Sequence, residues 1–126
     1  MSSSLTQLTK EEMLEKLLHK ECQYYEAILE LAHQEQKLLQ HNKPFSLIPP
    51  IIKKKKILIS CVEEIEETIK PLKKYWEKKK KKSDSQSKKV QRQLASLNAL
   101  LNTLITLDKQ NETFMKERFA KLHPKH

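Results

Sequence analysis

Apolar residues recur every three or four positions through three stretches of roughly 30 residues each, with polar and charged residues filling the gaps, the pattern of one buried stripe on each of three long helices. The first stretch opens on Thr9-Lys10-Glu11-Glu12, where a hydroxyl at the N-cap and a carboxylate three residues on satisfy orphan amides and Leu8 with Met13 supplies a hydrophobic staple. Leu14, Leu18, Tyr25, Ile28, Ala32 and Leu39 then form a seam flanked by Leu17, Tyr24, Leu31 and Leu38. A face that wide calls for two neighbouring helices. Asn42, Pro44, Pro49 and Pro50 end it, because proline rejects a helix interior but tolerates a first turn, so helix 1 is expected over about 10–41.

The second stretch, about 50–82, carries Leu58, Val62, Ile65, Ile69, Leu72 and Trp76 on a heptad-like seam. Pro71 removes an N–H and crowds the preceding turn, which predicts a kink or break near residues 67–71. Residues 78–87, five lysines followed by Ser-Asp-Ser-Gln-Ser, read as a mobile linker. Helix 3, about 88–121, carries Val90, Leu94, Leu97, Leu101 and Leu104, after which Asp108 and Asn111 fall where apolar residues are due and Phe114, Met115, Phe119 and Leu122 resume. The expected fold is all-α, a long antiparallel hairpin of two helices plus a third long helix in a single domain over 1–126, with no β structure. The longer second connection leaves open whether helix 3 folds back or swings away. The chain contains no glycine, which removes the usual means of building hairpin turns, phosphate-cradling loops and dinucleotide-binding turns.

The formal charge of +9 lies in the middle of the chain: residues 53–92 hold 15 Lys or Arg against 6 acids, while residues 1–52 hold 5 against 7. Met1 is followed by three serines and not by a basic then hydrophobic leader, and no apolar run reaches membrane-spanning length, so a cytoplasmic location is expected. Cys22 and Cys61 lie within helical patterns as small apolar residues of a reducing compartment.

Candidate chemistry is thin. Glu30 and His33 have di-iron spacing but lack the second pair and the further carboxylates such a centre requires, and His19 with Cys22 lacks the other half of a tetrahedral zinc site. His123 and His126 belong to a terminal tail. No nucleophile is matched to a base, so neither enzymatic activity nor a metal or cofactor is expected. Two lysine runs, Lys53, Lys54, Lys55, Lys56 and Lys78, Lys79, Lys80, Lys81, Lys82, offer an alternative function: a basic helical scaffold that binds polyanions, nucleic acid or an acidic membrane surface. Phe114, Met115 and Phe119 are either core or the wall of a groove for a partner helix, and leftover apolar stripe on three wide-faced helices also allows a homodimer.

Three segments carry a family resemblance: LEKLLHKECQYYEAILELAHQEQKLL, IIKKKKILISCVEEIEETI and LASLNALLNTLITLDKQNETFMKERF. Paired leucines with a mid-helix glutamate (Glu21) in the first, isoleucine followed by lysines and an aliphatic run in the second, and a leucine-rich helix passing through Asn111 in the third resemble the FlgN-type chaperones of flagellar and type III export. The resemblance covers most of residues 14–119 and implies a small cytoplasmic all-helical chaperone that binds the helical C-terminal segments of hook-filament junction proteins and hands them to the export apparatus. The family's contacts on its C-terminal helix correspond to Leu104, Leu107, Asn111, Phe114 and Met115, where Leu107→Asp or Phe114→Asp would be expected to abolish binding and leave helicity intact.

Overall fold

A computed structural model describes residues 9–79 and 84–122. They form three helices, α1 (Lys10–Gln40), α2 (Ile48–Glu77) and α3 (Ser85–Leu122), with a 3-10 turn at Phe45–Leu47 before α2 and no strand among the described residues. The architecture is an all-α bundle.

Local chemistry sets each boundary. Thr9 caps α1, its hydroxyl oxygen accepting the Glu12 N–H at 3.0 Å and donating to Glu12 Oε1 at 3.1 Å; Leu8, the other half of the expected staple, lies outside the described residues. At the far end the chain needs a left-handed residue and has no glycine for it. Asn42 takes φ 52°, with its N–H on the Leu39 carbonyl at 3.4 Å and that of Lys43 on Leu38 at 3.0 Å, a Schellman closure built on asparagine. Pro49 and Pro50 fit the first turn of α2, where their missing N–H groups would have had no helical partner.

Two expected boundaries are corrected, the end of α2 and the start of α3. Helix α2 is continuous through Pro71, whose exposed position leaves the freed Glu67 carbonyl on the solvent side of the helix. It ends at Glu77 and not near 82, because Lys78 closes it with its N–H on Lys74 and Trp76 carbonyls and Lys79 turns toward acidic partners. Helix α3 begins at Ser85, three residues early, because Asp84 caps it: Asp84 Oδ1 accepts the Ser87 N–H at 2.7 Å. Of the expected linker, 80–83 lie outside the described residues, and 84–87 belong to this cap and first turn.

Helix α3 folds back, with α1 in the middle, packed along both α2 and α3, whereas the backbones of α2 and α3 approach each other sparsely. Cross-helix bonds give the directions. Ser87 with Glu11, Gln110 with Gln36 and Asn111 with Ala32 set α3 parallel to α1, while Lys55 with Glu35 and Lys79 with Glu11 set α2 antiparallel to both. Leu14, Leu18, Ile69, Trp76, Val90 and Leu97 form the core of one half. Ile28, Ala32, Val62, Leu104 and Leu107 continue it toward the other.

Candidate partner-binding surface

Each helix keeps a heptad phase that places most of its covered residues, with Cys22 and Leu107 buried beside it. In α1 the core positions run 14, 18, 21, 25, 28, 32, 35 and 39; in α2 they run 48, 51, 55, 58, 62, 65, 69, 72 and 76; in α3 they run 87, 90, 94, 97, 101, 104, 108, 111, 115 and 118. Several of these positions are polar. Glu21, Glu35, Ser87 and Asn111 are buried, and Lys55 and Asp108 occupy core positions opposite Glu35.

The interruption at Asp108 and Asn111 is therefore a polar layer within the bundle. Lys55 Nζ donates to Glu35 Oε1 at 3.2 Å and to Asp108 Oδ1 at 3.0 Å, joining all three helices. Burial pulls the Lys55 ammonium toward neutrality, but the hydrogen bonds and charges of Asp108 and Glu35 outweigh it, and its pKa stands above the ordinary lysine value. Asn111, 2% exposed, donates to the Ala32 carbonyl at 2.9 Å. A second polar position lies nearer the other end: the Glu21 carboxyl is fully covered, and burial together with a side-chain hydrogen bond to Glu66 and its like charge from α2 raises its pKa from 4.5 to about 8 against the opposing pull of Lys73.

Five residues of α3 are implied as partner contacts, and the structure divides them. Leu104, Leu107 and Asn111 are 8%, 5% and 2% exposed, packed inward, so in the closed bundle they hold the helices together and present no surface. Phe114 and Met115 are half-buried and point to opposite flanks of α3. Phe114 lines a pocket of about 200 Å³ with Leu39, Asn42 and Arg118 at the end of α1, and the Arg118 guanidinium stacks on the Phe45 ring at 4.1 Å. Met115 lines a different space, an apolar groove of about 470 Å³ between α2 and α3 with Ile52, Lys55, Asp108 and Glu112. Beyond them Phe119 and Leu122 are each 59% exposed. An aspartate at 107 would thus sit in the core and unfold the bundle before it reported on binding.

The lysine runs do not form one patch. Lys53, Lys54 and Lys56 are exposed near the start of α2, but Lys55 is committed to the interior layer. About 33 Å of helix separates them from Lys78. Lys78 is exposed, and Lys79 is held by Glu11, by Asp84 at 2.8 Å and by Ser87 at 3.4 Å; Lys80, Lys81 and Lys82 lie outside the described residues.

Among the other candidates, Glu30 and His33 are both exposed, His19 is within 3.4 Å of Gln23 and Gln93 side-chain nitrogens, and Cys22 lies buried with its thiol 3.8 Å from the Gln93 carbonyl. Both cysteines are free. His123 and His126 lie outside the described residues. No helix among the described residues is long and apolar enough to cross a membrane. The polar core layers escaped the sequence reading because it followed apolar residues; continuing the heptad count through Glu21, Glu35, Lys55 and Asp108 would have marked all four as inward-facing. Compared with known proteins, the chain matches no family model, no curated protein and no solved structure.

Proposed function

We propose that this chain is an export chaperone of the FlgN type, a non-enzymatic cytoplasmic protein that holds the helical C-terminal segment of a hook-filament junction protein, or another type III secreted client, until the export apparatus takes it. The observation that supports this reading is the apolar surface on the carboxyl-terminal half of α3: Ile105 is 50% exposed, Leu122 is 59% exposed, and Met115 is half-buried at the edge of a groove. Aliphatic side chains exposed in a row along one helix commonly mark an interaction site. The client contacts fall to Met115 and its exposed neighbours, and Leu104, Leu107 and Asn111 hold α3 in place beneath them. An amphipathic client helix would replace water over this surface at roughly 25 cal/mol per Å² of apolar area, offset by ordering of the client, for affinity in the micromolar range or tighter.

Calorimetric titration of the full chain with C-terminal segments of junction proteins tests this. Saturable one-to-one binding, weakened about tenfold or more by Met115→Asp at unchanged helicity, is expected. No heat with any such segment, or binding that Met115→Asp leaves untouched, overturns the reading.

A further inference from the structure

The α2–α3 side of the bundle is built differently from the other two. Positions that follow the core residues on α1 are engaged, Glu15 and Cys22 reaching Gln93 and Gln36 reaching Gln110, whereas the backbones of α2 and α3 approach sparsely and are bridged by Lys55–Asp108 and Lys79–Asp84. The Lys55–Asp108 contact fixes the antiparallel register of this seam, and the groove walls Ile52 and Glu112 mark its lines. Carried one heptad inward from those two, the same lines place Ile59 and Ile105 at one level on opposite sides. They are 41% and 50% exposed. With Ile52 and Met115 they place apolar side chains on either side of the Lys55–Asp108 pair over about 15 Å at 1.5 Å per residue, room for nearly three turns of a helix.

The rims of this strip carry a charge signature. Lys56 on α2 and Lys109 on α3 flank it from the two sides at nearly the same level; both are exposed, and neither has an acidic partner among the described residues. Of the three acidic residues that line the groove, Glu35 and Asp108 are bonded to Lys55 and Glu112 to Lys116 at 3.0 Å. Lys53 and Lys54 add positive charge behind Lys56. A second copy of the chain is a poor occupant, since it brings its own lysines and another +9 to the contact.

We infer that the distal α2–α3 groove, floored by Ile52, Ile59, Ile105 and Met115, is the seat of an amphipathic partner helix whose apolar stripe is flanked by Asp and Glu. This rests on the proposed function only for the source of that helix. The carboxylates meet Lys56 and Lys109, and the apolar stripe covers the strip that α2 and α3 leave uncovered. Charge of this kind sets the orientation and selects the partner, while the covered isoleucines hold it.

Two synthetic helical peptides about 20 residues long with one shared leucine stripe, the first flanked by glutamates and the second by lysines, test the inference by fluorescence anisotropy against the full chain. The glutamate peptide is expected to bind about tenfold or more tightly than the lysine peptide, to lose about tenfold with Ile59→Asp and again with Ile105→Asp, and to be unaffected by Ile57→Asp, which lies 58% exposed on another face of α2. Equal affinity for the two peptides, no binding of either, or binding indifferent to Ile59 and Ile105 overturns it. So does sedimentation showing that the free chain is a dimer dissociated by Ile105→Asp. If junction-protein segments bind but the glutamate peptide does not compete, the groove inference fails and the export reading stands; if the peptide binds in the groove and no client does, the reverse holds.

Discussion

Replacing Lys55 with alanine leaves the Glu35 carboxylate, whose side chain is 8% exposed, inside the bundle without its cation. Breaking a buried pair in this way is expected to cost about 3 kcal/mol, read as a lower urea midpoint. Lys55→Met combined with Glu35→Leu removes both charges from the layer, and Asp108, with its side chain 45% exposed, remains solvated. The double variant should return to within about 1 kcal/mol of the parent or exceed it. Glu21 makes a prediction of a different kind. With its pKa raised from 4.5 to about 8, the folded chain retains a proton that the unfolded chain releases between those values. Its stabilisation is complete below pH 4.5 and is lost as the pH rises through 8. Urea melts across that window should show stability falling with pH in the parent and a flatter profile in Glu21→Gln.

At the scale of the helices, Pro71 is the one proline inside α2 beyond its first turn, and it is exposed. Pro71→Ala restores the hydrogen bond to the Glu67 carbonyl and should raise stability by roughly 1–3 kcal/mol with the fold unchanged, checked by thermal melts followed by circular dichroism. The number of helices, their order and the two neighbours of α1 were legible in the apolar spacing, because each seam is long and regular. The ends were less so. Thr9 announced its cap, but α3 starts at Asp84 through a side-chain bond inside a run that reads as a linker, and Pro71 is tolerated because the helix meets water there. The charged core was illegible for a definite reason: Glu21 and Glu35 look like gaps in a seam of leucines when only apolar residues are followed, and Lys55 looks like one member of a solvated lysine run. Their burial depends on partners from other helices, which no single segment displays.

For the molecule as a whole, polar groups fasten both ends of the bundle and leave one side open. At one end Glu11, Lys79, Asp84 and Ser87 link the start of α1, the end of α2 and the start of α3. The Lys79 ammonium and the Ser87 N–H hold Asp84 well below its ordinary value, at about 2, so its contribution is present above pH 3.8 and disappears as the pH falls through 2. Toward the other end the Glu35–Lys55–Asp108 layer fixes how the helices align. Polar layers of this kind specify register, which keeps α2 and α3 at the spacing that leaves the groove between them accessible. Which of the five implied contacts on α3 face inward was not legible in the apolar spacing, because the spacing does not show where the neighbouring helices lie. Leu104, Leu107 and Asn111 are packed inward and Phe114 lines the space beside Leu39 and Arg118, whereas Met115 lines the groove beside Ile52. The most direct measurement is an amide chemical-shift titration of the isotope-labelled full chain with the C-terminal segment of a junction protein. Shifts concentrated at Ile52, Ile59, Ile105 and Met115 are predicted; shifts confined to other faces, or none at saturating segment, would contradict the account.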